Sequence, residues 1–264
     1  MKYCCIVILL LISFGKMTAQ NWEIGIHTGG SNYLGDLSPD IVLKETKNYQ
    51  GAFFKKNISP FFSHTFNVYY GKISGQDKNF KHLKIRNLDF KSNVLEFSYI
   101  LEFNFFKFSL GLNPNRYTPY TFVGFGVFSF NPQTTYNGTT INLIALDTEG
   151  KLIETNKKGY KTIQPVIPFG GGFKFKITKG INLLINCGFR YTFTDYLDDV
   201  SKEYYNVDVL ELKYGHLSPL LSDRSEINIG FEGKQRGRPD IKDWYYFYGF
   251  TISFQIRNKV CFEF

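Results

Sequence analysis

The sequence has few cysteines, and this scarcity excludes a disulfide-rich scaffold. Of the four cysteines in 264 residues, Cys4 and Cys5 fall in an N-terminal apolar run, which leaves Cys187 and Cys261. Two such residues do not make a disulfide framework, so we interpret them as small apolar side chains. The sequence also lacks HxxxH and CxxC spacings, so neither a metal site nor a cofactor is predicted.

Acidic residues are outnumbered and long apolar runs are almost missing. There are 31 Lys and Arg against 23 Asp and Glu, for a formal charge of +8. The mean hydropathy of −0.19 excludes a bundle of membrane helices. It leaves a membrane β-barrel open, because only every second residue of a strand then has to be apolar.

Residues 1–19 have the pattern of a secretory signal. Lys2 precedes the apolar run Tyr3–Phe14, which is too short to cross a bilayer as a helix. Met17-Thr18-Ala19 offers a small residue at the cleavage point. We therefore expect a mature chain that begins at Gln20 and forms one domain, residues 20–264.

The clearest periodic pattern lies in Ile163–Thr194, which predicts two strands joined at Thr178-Lys179-Gly180. In the second strand, every odd position from Ile181 to Phe193 is apolar, and most even positions are polar or small. This period of 2 indicates β-structure. A soluble sandwich would bury the apolar face in a core, whereas a membrane barrel would turn it to lipid.

The same alternation predicts eight strands and no helix of consequence. Gly29–Leu37 is expected to break the first strand, and Glu226–Gly233 to form a short ribbon. Connections 31–49, 75–91, 131–161 and 195–244 are long, whereas 58–60, 107–117 and 178–180 are shorter. This sorting is typical of an all-β, eight-stranded antiparallel transmembrane barrel with long extracellular loops and short periplasmic turns. The predicted strands are Trp22–Thr28, Gln50–Asn57, Phe61–Ile73, Ser92–Phe106, Thr118–Phe130, Ile163–Ile177, Ile181–Thr194 and Tyr245–Arg257.

Charged residues alternate onto the inward face of these strands. An eight-stranded barrel is only wide enough to be filled by side chains, and an unpaired buried charge is costly. We therefore expect at least two of the inward acids to pair with bases. The predicted lumen charge network consists of Glu23, Glu96, Glu102, Lys174, Lys176, Arg190 and Arg257.

Catalytic and ligand motifs are weak. His27 is inward and expected near the outer rim, but no Ser or acid is spaced to form a triad with it, so no catalytic residue is predicted. Asp195, Asp198 and Asp199 match no calcium loop and are interpreted as a solvated loop start, with a calcium or partner contact as the alternative. Gly170-Gly171-Gly172 lies in a strand, where it bends the wall or makes room for a large side chain.

Basic residues lie in two predicted loops, residues 75–91 and 235–240. With a secretory signal in front of them, lipopolysaccharide or a protein partner fits better than nucleic acid, and plain solvated charge fits best. Trp22, Tyr120 and Trp244 are candidate aromatic residues for the membrane interface.

Several segments together resemble one family, the outer-membrane barrels similar to PorG, which belongs to the type IX secretion and gliding-motility machinery. The segments are GGSNYLGDLSP (29–39), VYYGKISGQD (68–77), RNLDFKSNVLEFSYILEFNF (86–105), PYTFVGFGVFSFNP (119–132), IPFGGGFKFKI (167–177), FRYTFTDYLDDVS (189–201) and QRGRPDIKDWYYFYGFTISF (235–254).

The resemblance implies a non-enzymatic barrel in the cell outer membrane. It would contact outer-membrane lipid and lipopolysaccharide, and it would position a periplasmic ring made of a lipoprotein and its partner. The distinctive strings are GGSNYLGD, FTDYLDDVS and QRGRPDIKDWY. They lie mostly at the rim opposite the periplasmic turns, so they either contact partners or shape the barrel mouth. The candidate contact residues are Asn32, Tyr33, Asp36, Asp195, Tyr196, Asp198, Asp199, Arg236, Asp243 and Trp244.

Two other readings stay open. One is a barrel that binds or modifies lipid or a small ligand, which a roomy lumen with unpaired polar groups would favour. The other is a surface adhesin that uses the long loops. A filled lumen would favour the structural role.

Overall fold

The computed structural model describes residues 21–108, 114–155 and 159–256. The predicted signal at 1–19, Arg257 and Cys261 lie outside them. Strands dominate the described chain: β1 (Asn21–Leu34), β2 (Lys47–Asn57), β3 (Phe62–Gln76), β4 (Asp89–Asn104), β5 (Tyr117–Tyr136), β6 (Thr139–Asn142), β7 (Ile163–Lys176), β8 (Ile181–Thr192) and β9 (Trp244–Ile256).

Eight of the strands close into one antiparallel barrel. The sheet order is β4-β3-β2-β1-β9-β8-β7-β5, and β4 pairs with β5 to complete the ring. The first and last strands pair along their whole length, from Trp22 opposite Ile256 to Leu34 opposite Trp244. The short β6 pairs only with the end of β5. The predicted eight-stranded antiparallel barrel is thus confirmed.

The strands run further than the sequence pattern indicated. Gly29 and Gly30 do not break β1. Each is paired with a residue of β2 and a residue of β9, and the pairing with β9 continues to Leu34. A side chain at Gly29 would collide with the β9 backbone, with Tyr248 O only 2.1 Å from an added Cβ. The glycines therefore allow close strand packing rather than a turn.

The connections alternate between the two ends of the barrel as predicted, but the difference in length between the two sets is smaller than expected. We call the end with connections 35–46, 77–88, 137–162 and 193–243 the loop end, and the end with 58–61, 105–116 and 177–180 the turn end. Because β1 and β3 extend further, 35–46 and 77–88 have the same number of residues as 105–116. Only the last two loops are long.

The loop end contains short helices that the sequence pattern missed. They are α1 (Lys151–Thr155), α2 (Val207–Tyr214) and α3 (Leu217–Ser222). Asn206 caps α2 by accepting a hydrogen bond from Val209 N at 3.2 Å. The ribbon predicted at Glu226–Gly233 is wrong: turns occupy this segment. Among the described residues, no helix has the length and apolar character needed to cross a membrane.

Alternate side chains of the barrel strands form an exposed apolar belt on the outer surface. Along β3 and β4 the belt pairs Phe66 with Tyr99, Val68 with Phe97, and Tyr70 with Leu95. Phe125 of β5 is 67% exposed and Phe250 of β9 is 54% exposed. A continuous apolar surface of this extent is costly in water and is the feature that fits a barrel to lipid.

A charge in the middle of this belt should weaken folding into lipid. We expect Phe125→Lys to cost about 2–4 kcal/mol, since a lysine near the bilayer midplane must be desolvated. Urea titration of the barrel in lipid vesicles would measure the cost. The matched control is Ile227→Lys, which changes a side chain of similar exposure, 70%, at the loop end. Equal effects of the two substitutions would contradict a lipid-facing belt.

Candidate functional site

The lower lumen, toward the turn end, holds a buried ion cluster around Glu102. Its Oε2 atom lies 2.8 Å from Lys55 Nζ and 2.6 Å from Lys174 Nζ. Thr65 donates to the other carboxylate oxygen at 2.7 Å, and Lys174 also donates to Asn104 Oδ1 at 2.8 Å. The three charges come from β2, β4 and β7, so this cluster ties together strands from separate parts of the wall.

A second ion pair lies higher in the lumen. Arg190 Nε is 3.2 Å from Glu96 Oε2, and Arg190 also donates to Gly188 O at 2.6 Å. Tyr245 donates to the same Glu96 oxygen at 2.9 Å. The guanidinium lies 4.2 Å from the ring centre of Phe247, so a cation–π contact adds to the pair.

The remaining described residues of the predicted lumen charge network, Glu23 and Lys176, lie outside these two ion clusters. Glu23 is buried and accepts hydrogen bonds from Asn57 at 2.7 Å and Ser253 at 3.0 Å. Lys176 lies half-buried at the end of β7. Arg257 lies outside the described residues. Sequence reasoning missed Lys55, which the alternation of Phe53, Lys55 and Asn57 along β2 would have placed inward.

Aromatic side chains fill the rest of the lumen. Phe122 points between Gly170 and Gly188, where an added Cβ would lie 2.8 Å and 2.7 Å from the ring. The predicted glycine role, room for a large neighbour, is therefore confirmed for Gly170, whereas Gly171 and Gly172 lie against the backbone of the neighbouring strands. Tyr120 is also inside, with its ring 4.3 Å from Lys174 Nζ, so its assignment to the membrane interface is wrong. Trp22, by contrast, stacks on Phe54 at 4.6 Å on the outer surface.

His27 lies in mid-barrel rather than near the rim, because β1 continues past it. Its ring bonds Thr251 Oγ1 at 2.7 Å and Asn67 Oδ1 at 3.2 Å. The free space beside it is about 20 Å³, enough for about one water molecule and too small for a lipid or a sugar. A hydroxyl, an imidazole and an amide thus meet inside the filled lumen.

The loop end carries a packed polar cap over the barrel mouth. We define the cap as Tyr33 at the end of β1, Asp36 just after it, Glu149, the segment 195–201, Arg236 and Asp243. The Tyr33 hydroxyl lies 2.7 Å from Asp198 Oδ2 and 2.6 Å from Asp243 Oδ1. Asp243 also accepts from Leu197 N at 2.9 Å. The cap thereby joins the ends of β1, β8 and β9.

The contacts of Tyr33 require a shared proton. A phenol has one hydrogen and can donate to one carboxylate at a time, so the second short contact needs a protonated carboxyl that donates to the phenol oxygen. Burial and the charge of the neighbouring acids raise the pKa of Asp198 and Asp243 well above the usual range of an aspartate. One of the two acids therefore carries a proton in the folded cap.

Two arginines neutralise part of the cap. Arg236 donates to Glu149 Oε1 at 3.0 Å and to Asp199 O at 2.6 Å. Arg86 binds Asp77 through Nη2 at 2.7 Å and donates to Asp36 O at 2.9 Å. Arg86 is thus a half-buried, ion-paired residue, and its assignment to plain solvated charge is wrong.

The acidic run 195–199 is buried, contrary to the expected solvated loop start. Asp195, Asp198 and Asp199 are 4%, 1% and 3% exposed. Burial raises the pKa of Asp195 to about 7 and that of Asp199 to about 6. Asp199 accepts hydrogen bonds from Thr148 and Tyr160, both at 2.6 Å. Among the described residues, no group of three His, Cys, Asp or Glu side chains is arranged to hold a metal ion.

The candidate partner contacts are largely this same cap, and most of them are buried in it. Asn32 donates to Val42 O at 3.0 Å beneath the first loop. Trp244 is half-buried and packs edge-on against Tyr191, with ring centres 5.1 Å apart. The candidate contacts that are at least nine-tenths buried are Asn32, Tyr33, Asp36, Asp195, Tyr196, Asp198, Asp199, Arg236 and Asp243. Of the two roles expected for these strings, the geometry matches the shaping of the mouth.

These features define a class: a closed eight-stranded barrel with a filled lumen, a capped mouth and an apolar outer belt. Residues 2–220 match the family model described as "Domain of unknown function (DUF6089)", and the chain belongs to that family. No curated protein matches the sequence significantly.

Several solved barrels are similar in fold. Neisserial surface protein A (NspA) is 9% identical, with 91% of this chain and 100% of that one covered and a TM-score of 0.43. Ail, the attachment invasion locus protein of Yersinia pestis, is 7% identical, with 90% and 100% covered and a TM-score of 0.41. The N-terminal barrel domain of Pseudomonas aeruginosa OprF is 10% identical, with 90% and 100% covered and a TM-score of 0.38. No role is transferred from them at these identities.

Removal of the central lumen charge should destabilise the barrel. Glu102→Gln leaves Lys55 and Lys174 without their shared carboxylate, and we expect a loss of about 3–5 kcal/mol. Urea unfolding in vesicles would measure it, with exposed Glu226→Gln at the loop end as the control. The double variant Glu102→Gln/Lys174→Met should recover part of the loss. Equal stability of the two single variants would contradict a structural ion cluster.

The cap should be less stable at alkaline pH. Acids with a raised pKa keep their protons in the folded cap after the unfolded chain has lost them, so stability falls as the pH rises from about 4 to about 7 and beyond. In the variant Asp243→Asn, the side-chain amide can accept a hydrogen bond from Leu197 N and donate one to Tyr33 without carrying a charge. We expect it to stabilise the cap at pH 8 by about 1–3 kcal/mol, with less gain at pH 5.

Thermal melting followed by Trp244 fluorescence, in a Trp22→Phe background, would report on the cap next to Asp243. The control is Asp240→Asn, an exposed acid in the same loop. A melting curve of the cap that is the same at pH 5 and pH 8 would refute the shared proton.

Proposed function

We propose that this barrel is a non-enzymatic outer-membrane subunit of a type IX secretion machine, where it anchors a periplasmic ring. The observation that carries the structural role is the filled lumen. The space of about 20 Å³ beside His27 suits neither passage of a solute nor binding of a lipid. The specific machine rests on the PorG-like strings of the sequence, and the apolar belt supports the membrane location.

The buried cap changes where a partner would bind. The distinctive strings hold the mouth closed, so they offer little surface to a partner. With the loop end outward, the periplasm meets the turn end, where Phe106 and Tyr117 are 44% and 56% exposed. Lys107 and Arg116 are exposed beside them. An aromatic and basic surface of this kind suits a protein partner with acidic and apolar residues.

The test has a deletion arm and an interaction arm. Deletion of the gene should abolish secretion of cargo, and the tagged barrel should co-purify a periplasmic ring protein. Lys107→Glu/Arg116→Glu should reduce that co-purification at least about tenfold, because charge reversal turns attraction into repulsion. The control Lys78→Glu/Lys81→Glu makes the same change at the loop end, where both lysines are exposed.

Normal secretion after deletion, together with no co-purified ring protein, would overturn the proposal. Co-purification that depends on the loop-end lysines instead would place the partner outside the cell. That result would favour the adhesin alternative, for which the loops are the contact surface. A role in lipid modification would require detectable turnover of lipid by the purified barrel.

A further inference from the structure

The apolar belt ends at a polar row on the side of the barrel formed by β3, β4, β5 and β7. The last mainly apolar row pairs Tyr70 with Leu95, Leu95 with Ser129, and Ser129 with Ile163. One alternation step toward the loop end, Lys72 pairs with Asn93, and Asn93 with Asn131. Phe130 N donates to Thr162 O, which continues the β5–β7 register toward Lys161. Lysines and amides therefore border the belt.

Three lysines give this row a positive charge that the protein does not neutralise. Lys72, Lys91 and Lys161 are exposed, and none of them forms an ion pair within residues 21–108, 114–155 and 159–256. The acidic residues on the loop-end side of the row already have other partners. Asp89 is paired with Arg224, and Glu45 accepts from Ser74 at 2.7 Å.

The positive charges fall into two centres. Lys91 faces Ser74 across the β3–β4 ladder, next to Lys72, so the two lysines are diagonal neighbours. Lys161 follows the β7 strand line, three strands from Lys72. At about 4.8 Å per strand, this separation is roughly 14 Å. A ligand with two separated anionic groups matches this spacing better than a single phosphate.

An apolar groove begins two alternation steps below the same row, past Tyr70 and Leu95, at the level of Val68 and Phe97. It has a volume of about 570 Å³ and is lined by outward side chains of β2 to β5, among them Ala52, Phe66, Phe97 and Phe125. Small Ala52 lies between larger neighbours and leaves the groove open. The combination of cations above and apolar groove below fits a lipid whose head is anionic and whose chains lie against the barrel.

We propose that the row of Lys72, Lys91 and Lys161 binds the headgroup of a diphosphorylated glycolipid of the outer leaflet, with one acyl chain in the groove below. This inference rests on the proposed outer-membrane location. Lys72 and Lys91 take one phosphate and Lys161 the other, while Asn93 and Asn131 donate to sugar hydroxyl or phosphate oxygens between them. The bound glycolipid would order the neighbouring lipids along this side of the barrel.

The experiment is a titration of the purified full-length barrel, in nonionic detergent, with diphosphorylated lipid A, followed by native mass spectrometry. The variant Lys72→Gln/Lys91→Gln/Lys161→Gln should bind about 10- to 100-fold more weakly, since each lysine contributes to the attraction of an anionic head. Lys78→Gln/Lys81→Gln/Lys84→Gln, which removes the same charge from the 77–88 loop, should bind like the unaltered protein. Monophosphorylated lipid A should bind the unaltered protein about tenfold more weakly.

Three results would overturn the inference: undiminished binding by the first triple variant, equal losses in both triple variants, or phosphatidylglycerol that binds as tightly as diphosphorylated lipid A. If the first triple variant does not fold, Lys161→Gln alone, which lies outside the strands, should still lose several-fold affinity. Fractionation of cells tests the location separately. A barrel that is found in the outer membrane but shows no preference for this lipid would contradict only the lipid-binding inference. A barrel that is absent from that membrane would contradict the proposed function.

Discussion

A closed barrel of eight strands has an interior only as wide as its own side chains, and this constraint governs the rest of the molecule. A charged side chain that points inward must find a partner there, because an unpaired buried charge is costly. Glu102 meets this demand with Lys55 and Lys174, and Glu96 meets it with Arg190. Because these pairs link strands distant in sequence, they also specify which strands face one another across the lumen. These pairs lie in a lumen whose remaining free space is about 20 Å³.

At the mouth of the barrel, buried polar groups of the loop end are likewise paired between strand ends. Tyr33, Asp198 and Asp243 join three strand ends through one hydroxyl, and Arg86 and Arg236 carry part of the compensating charge. Acids exceed bases there, so the cap depends on retained protons. The barrel is thus filled in the middle and capped at the mouth. The surfaces left for function are then the outer wall and the turn end.

On the outer wall, the apolar belt borders the lysine row on the side formed by β3, β4, β5 and β7. The turn end adds exposed aromatic and basic side chains that a periplasmic protein would meet. These two surfaces divide the proposed roles between lipid and protein. The buried cap residues Tyr33, Asp198 and Asp243 belong to neither surface.

Local pattern in the sequence determined the strand count, the inward and outward faces, and the sorting of connections, because a period of 2 is a property of neighbouring residues. It also placed Glu96, Glu102, Lys174 and Arg190 inward. Only the tertiary structure decided which charges meet, since each partner comes from a distant strand. It likewise decided that Asp195, Asp198 and Asp199 are buried. Their burial depends on loops that fold back over the mouth, and no local periodicity encodes that contact.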